Sequence, residues 1–247
     1  MFSRPNSESA CGMFTLPHII SLIVCLGLVV LAIYLSRKFN DYKIKLTTKI
    51  MAYVFTAWEI AKIIFKFIID EGKYLDHWVP LYFCSLFIYA LWMCAYGKGR
   101  IYKIGEAFIS GGCIVGGFAF LVVPATSLMD YPIYHFVSIH SMLYHSCMLY
   151  LGILYIRAYK IKLDKNDFIN YSAYTGVFGI VSIILNLMLD QNFMILKNPV
   201  NIPIEPLNVI ASKLPYLYTV GALMLYIIIP FFLVKGIILV TAKIKHI

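Results

Sequence analysis

The sequence predicts an all-α polytopic membrane protein of seven transmembrane helices, with its N-terminus outside and its C-terminus in the cytoplasm. Three observations carry this prediction. The composition is 61% hydrophobic and 13% charged, with a mean hydropathy of +0.81, outside the range of soluble domains. Apolar runs long enough for a helix to cross ~30 Å of hydrocarbon recur along the whole chain. The connections between them alternate between rich and poor in Lys and Arg. At ~20 residues per span, 247 residues hold six or seven spans and little else. The chain therefore reads as one integral membrane domain over 1–247, with no soluble domain and no low-complexity tract.

The runs fall at 14–36, 50–69, 78–96, 104–124, 133–156, 168–189 and 215–242. The first is too long for the hydrophobic region of a signal peptide and is followed by Arg37-Lys38, so it is expected to be retained as a helix. The second places Glu59, Lys62 and Lys66 inside an otherwise apolar stretch. The third and fifth open on Pro80 and Pro132, which are expected in first helical turns, where the missing N–H costs nothing. The fourth carries Gly112 and Gly116, a spacing that lets two helix backbones approach closely. The seventh contains Pro230, an expected kink.

Orientation follows from the basic residues. The connections near 37–49, 97–103 and 157–167, with the C-terminal tail, carry Arg37, Lys38, Lys43, Lys45, Lys49, Lys98, Arg100, Lys103, Arg157, Lys160, Lys162, Lys165, Lys243 and Lys245. The N-terminus and the other connections carry only Arg4, Lys73, Lys197 and Lys213. The rich side is the cytoplasmic side of a multi-pass protein of the cell membrane. The net charge of +9 is then loop charge facing anionic lipid heads rather than a nucleic-acid footprint. No Gly-rich phosphate loop or aromatic–basic nucleic-acid motif accompanies it. Of the six cysteines, five fall within apolar runs and none forms a CxxC pair, which argues against a disulfide framework and a structural zinc site.

Chemistry is suggested by two residues in different spans. Cys84 and His140 each lie six to seven residues inside the start of a run, about 9–10 Å deep at ~1.5 Å per residue if both helices enter from the same side. The loop charges put both starts outside. An imidazole at that depth can take the thiol proton and give a nucleophilic thiolate; the alternative is a packed cysteine and a hydrogen-bonded helix contact. His135, His140 and His145 do not form a metal site, because an i, i+5 spacing turns successive rings ~140° apart. His140 shares a helix face with Tyr144, Cys147 and Leu151. His145 shares one with Ser138 and Ser141, a formal Ser–His pair, although serine in such helices usually bonds its own i−4 carbonyl.

Glu59, Lys62 and Lys66 share one stripe, either as a structural ion pair or as groups that orient a lipid phosphate. Asn186, Asp190, Gln191 and Asn192 end the sixth span on the external side and are candidate orienters of the histidine or donors to an oxyanion. The connection from Asp190 to Leu214 carries Pro199, Pro203 and Pro206 and is either a lid over an outward-facing cavity or a connector. The candidate catalytic residues are thus Cys84 and His140. The candidate substrate-binding residues are Glu59, Lys62, Lys66, His77, Tyr82, Asn186, Asp190 and Asn192, with no metal and no cofactor.

The segments Trp78-Val-Pro-Leu-Tyr-Phe-Cys84, Tyr131-Pro132 with Ile139-His140, and Asn186 through Leu196 resemble the blocks of the transmembrane protein 164 family. That family includes bacterial YwaF-type membrane proteins and is distantly related to androgen-induced membrane hydrolases that cleave esters of hydroxy fatty acids. The resemblance implies an acyltransferase in which a cysteine, here Cys84, takes an acyl chain from a phospholipid as a thioester. A histidine, here His140, assists, and a lysophospholipid receives the chain. The family block usually reads Pro-Leu-His-Leu-Cys, whereas Tyr82 stands here in the histidine's place. The hydrolase branch uses threonine as nucleophile, so a cysteine points to the acyltransferase branch. The expected function is a lipid acyltransferase or lipid-ester hydrolase acting on phospholipid or lysophospholipid; the alternative is a non-enzymatic transporter of small solutes or a lipid-binding scaffold.

Overall fold

The computed structural model describes residues 10–70, 75, 78–200 and 205–244. His77 lies outside the described residues, as do Arg4, Lys73, Pro203 and Lys245. The described residues form α1 (Leu16–Leu35), α2 (Asp41–Asp70), α3 (Leu86–Tyr96), α4 (Arg100–Gly111), α5 (Cys113–Val122), α6 (Phe136–Tyr159), α7 (Lys165–Leu189), α8 (Glu205–Lys213) and α9 (Pro215–Ile244). Among these residues five helical segments are long and apolar enough to cross a membrane: Leu16–Lys38, Arg100–Val122, Phe136–Tyr159, Lys165–Leu189 and Pro215–Lys243. α2 is 30 residues long but carries charges along its length, and α3 has only 11 residues. The protein is an all-α, multi-pass membrane protein.

Two helices start later than their apolar runs. α3 begins at Leu86, so Pro80 and Cys84 precede it in a series of turns: Leu81 N–H donates to Val79 O at 2.8 Å and Phe87 N–H to Cys84 O at 3.0 Å. α6 begins at Phe136, after Pro132, and is capped by His135, whose Nδ1 accepts the Val137 N–H at 3.2 Å. The prolines therefore stand outside the first helical turns. A proline disfavours helical geometry in the residue before it, and turn bonds satisfy the segment after it. Counting residues from a helix start consequently gives no depth for Cys84, which sits on a turn, while His140 sits in the second turn of α6. The fourth run is also broken, into α4 and α5 at Gly112.

α6 is the central helix, burying Met142, Tyr144, Met148, Leu151, Leu154 and Tyr155. It packs against α5, α1, α4 and α2, while α3 packs on α2 and α4, and α7 on α4 and α9. The tight seam with α5 is at Gly117, where a Cβ would fall 2.6 Å from His145 O and 2.9 Å from Leu149 N. Gly152 on α6 is tight likewise, where a Cβ would meet Ile114 Cγ1 of α5 at 2.7 Å and Ile109 O of α4 at 3.0 Å. The Gly112–Gly116 pair does not make this approach; Gly116 meets the ring of Phe83 instead, at 3.0 Å.

Polar side chains close the helix ends. Arg157 donates to Ile33 O in the last turn of α1 and to Ser36 O just after it, at 3.2 and 2.9 Å, tying α6 to that helix end. His18 accepts Phe14 N–H at Nδ1 (2.9 Å) and so turns Nε2–H to Leu121 O at 3.0 Å, joining α1 to the end of α5. α9 runs on through Pro230, which cannot donate to Tyr226 O. The Tyr171 hydroxyl donates to that carbonyl at 2.7 Å, an interhelical bond worth about 1 kcal/mol in such surroundings. The outer faces of α1, α7 and α9 leave rows of Leu, Ile and Val exposed, as a lipid-facing surface does.

Candidate active site

A cavity of about 450 Å³ lies at the end of the bundle opposite the basic connections. α2 contributes Glu59, Lys62 and Lys66; the turn before α3 contributes Tyr82, Phe83, Cys84 and Ser85. α6 contributes His140, Ser141, Tyr144 and His145, and Asp130 comes from the loop before it. The rest of the wall is largely apolar: Val115, Ala119 and Phe120 from α5, Val123 just after it, Ile195 and Val200 from the segment after α7, and Tyr226 and Pro230 from α9. One side of the cavity is thus charged and the other hydrocarbon-like.

Glu59 is the centre of the charged side. It is buried on α2, with Oε1 2.6 Å from Lys62 Nζ and Oε2 3.6 Å from His140 Nε2. His140 is held by aromatic rings: Trp58 stands edge-on to it with centroids 5.0 Å apart, and Tyr144 stacks on it at 5.6 Å and 20°. The Tyr144 hydroxyl continues to the backbone carbonyl of Cys84, at 3.0 Å. The third and fifth apolar runs are therefore in contact, through a residue that the sequence places on the His140 face without assigning it a role. Its spacing, four residues after His140, is the signal that marks it.

The three histidines of α6 have three separate roles. His135 caps the helix. His140 faces Glu59. His145 sets Nδ1 2.7 Å from Ser141 O and stacks on Phe120 at 3.6 Å and 8°. A carbonyl only accepts, so His145 Nδ1 carries the proton. Ser141 thus meets His145 through its backbone, and not through its hydroxyl. Among the described residues no three His, Cys, Asp or Glu side chains are grouped to hold a metal ion.

Of the candidates on the described residues, Glu59, Lys62, Lys66, Tyr82, Cys84 and His140 line the one cavity. Asn186, Asp190 and Asn192 do not. The Asn186 amide donates to Phe193 O at 3.0 Å and accepts Phe193 N–H at 2.6 Å, clamping the turn that follows α7. Asn192 Oδ1 accepts the N–H groups of Lys197 and Asn198, at 3.0 and 3.1 Å. Asp190 pairs with Lys197 at the surface, and that ammonium holds its carboxyl below the usual carboxylate range. What these residues position is Ile195, a β-branched residue held at φ 57°, a strained backbone that places it in the cavity wall. The Tyr218 hydroxyl donates to Ile195 O at 3.0 Å and secures it from α9. Hydropathy carries no signal for such a turn.

Fold and site together define a polytopic α-helical membrane protein with a cavity lined by a thiol, imidazoles and a carboxylate–ammonium pair. The chain belongs to the TMEM164 family, whose family model matches residues 13–234. No curated protein and no solved structure shows significant similarity to the chain.

Proposed function

We propose that the protein is a seven-span lipid acyltransferase or lipid-ester hydrolase of the cell membrane, working in its outer half with the C-terminus in the cytoplasm. The observation that carries this reading is the cavity that Cys84 and His140 share, charged on one side and apolar on the other. An ester lipid has the same division. Its phosphate head suits Lys62 and Lys66, and its acyl chain suits the wall of Val115, Ala119, Ile195 and Tyr226.

In this mechanism His140 removes the Cys84 proton, and the thiolate attacks the acyl carbonyl of a phospholipid. The C–S bond forms and the ester C–O bond breaks. The imidazolium then gives its proton to the departing alkoxide, leaving a lysophospholipid and a thioester. The hydroxyl of an acceptor lysophospholipid, or water, then gives a proton to His140 and attacks the thioester; the new C–O bond forms, the C–S bond breaks, and the imidazolium returns the proton to the Cys84 thiolate. The cysteine nucleophile and the transfer to a lysophospholipid are what the family resemblance implies. Glu59 faces Nε2 of His140, so Nδ1 is the nitrogen left to serve as base.

The test is lipid profiling of cells expressing the wild type and Cys84→Ala at equal levels, with a labelled fatty acid to follow acyl exchange. The wild type should redistribute label among phospholipids and the variant should not. Identical profiles would sink the proposal.

A further inference from the structure

On the charged side of the cavity, Glu59 stands between two cationic claimants, Lys62 and His140. Glu59 gives one oxygen to Lys62, at 2.6 Å, and turns the other toward His140 Nε2, at 3.6 Å. The second distance exceeds the ~3.0 Å of an ordinary N–H···O bond. His140 Nε2 is buried and makes no hydrogen bond among the described residues. A buried donor beside a carboxylate it does not quite reach is unusual.

We propose that Glu59 is a positioning residue shared between Lys62 and His140, and that an anionic phosphate engaging Lys62 releases Glu59 to hydrogen-bond His140 and so prime Cys84. The proposal rests on Cys84 and His140 being the reacting pair. It adds that the phosphate of that substrate takes part in activation.

The physical case is a competition for the placement and charge of one carboxylate, whose Oε1 is drawn to Lys62 and whose Oε2 faces His140. Forming the thiolate makes His140 an imidazolium, which needs Glu59 and is repelled by Lys62. While Lys62 holds Glu59, the imidazolium is poorly supported. A phosphate on Lys62 supplies the ammonium with another anion, and the carboxylate can close the last ~0.6 Å to Nε2. The movement falls to Glu59 because His140 is bounded by Trp58 and Tyr144. Lys62, with its side chain 21% exposed, has a long stem with which to meet the head group. The other ionisable groups around the cavity are Lys66, Tyr82, Asp130, Tyr144, His145 and Tyr226. In a bare structural ion pair, by contrast, Glu59 would only neutralise Lys62.

The test follows alkylation of Cys84 by N-ethylmaleimide in the full-length protein in maltoside micelles, resolved from the other cysteines by peptide mass spectrometry. The probe is dihexadecyl phosphate, an anionic lipid with no carboxylic ester to acylate the thiol; inorganic phosphate separates a lipid head group from the free ion. In the wild type the lipid should speed alkylation near neutral pH about ten-fold, the effect of moving the thiolate profile down by one pH unit. Glu59→Gln should abolish that shift, Glu59→Asp should retain part of it, and Lys62→Met should label fast with or without lipid. The proposal is overturned if Lys62→Met keeps the lipid dependence, or if Glu59→Asp and Glu59→Gln both keep the wild-type shift. His140→Ala separates the two readings. Loss of labelling in His140→Ala with no effect at Glu59 defeats only this inference, whereas labelling of Cys84 indifferent to His140 defeats the reacting pair as well.

Discussion

Tyr144 donates its hydroxyl to the backbone carbonyl of Cys84 while its ring stacks on His140, so one buried side chain spaces the thiol-bearing turn from the imidazole. The Cys84 carbonyl also accepts from Phe87 N–H at 3.0 Å, so it keeps a partner if the tyrosine is lost. Tyr144→Phe should then cost only about 0.5–1.5 kcal/mol of stability, the net worth of one such bond. Activity should fall further than stability, because the turn is freed relative to His140. Thermal unfolding and acyl transfer measured on the same preparation check this; unchanged activity would remove Tyr144 from the site.

Cys84→Ala should abolish transfer, since it removes the thiol proposed to carry the acyl chain. His140→Ala should lower it about 10²–10⁴-fold, the usual loss with a general base. Thioester trapping by hydroxylamine distinguishes the two, as His140→Ala should still form a little acyl-enzyme and Cys84→Ala none.

Gly117→Ala pushes a methyl group to within 2.6 Å of His145 O, a backbone atom that cannot step aside. The α5–α6 seam must open, at about 1–3 kcal/mol for such overpacking. Gly27, whose Cβ would meet nothing within 4 Å, supplies the control. Gly27→Ala should leave the melting temperature in place, and a Gly117→Ala protein that melts with it would contradict the seam.

Asn186→Ala strips both bonds from Phe193 and leaves a buried N–H unpaired, at about 1–3 kcal/mol. If Asn186 acts by holding Ile195 in the cavity wall, KM should rise more than kcat falls. A direct donor to an oxyanion would instead lose kcat. Asp190→Asn, at an exposed ion pair, should change neither constant.

The charge bias makes a topological prediction. A membrane-impermeant maleimide should label Cys11 and an introduced Ser212→Cys in intact cells, and an introduced Lys98→Cys only after permeabilisation. The reverse pattern would invert the orientation, and with it the outer-leaflet site.

Much of the helical architecture was legible because hydropathy is a local property. The runs 14–36, 133–156, 168–189 and 215–242 correspond to Leu16–Leu35, Phe136–Tyr159, Lys165–Leu189 and Pro215–Ile244 with ends displaced by a few residues. The stripe of Glu59, Lys62 and Lys66 was legible too, as helical periodicity puts them on one face and that face lines the cavity. Hydropathy did not distinguish the turn of 81–85 from the helix after it, because both are apolar and the difference lies in which groups satisfy the backbone. Nor did it mark Asn186 as a clamp on Phe193, since an amide at the end of a span reads alike whether it meets a substrate or a neighbouring turn.

By itself, the sequence determined that this chain is a bundle of membrane helices with basic and non-basic connections in alternation, and that a thiol, Cys84, and an imidazole, His140, fall inside its apolar runs. Only the tertiary structure decided that Cys84 stands on a turn, that Tyr144 reaches it across 60 residues of chain, and that Glu59 faces His140. The reason is the range of the forces concerned. Partition into lipid depends on each segment's own composition, whereas hydrogen bonds and ion pairs act over a few ångströms and exist only once packing has brought distant residues together.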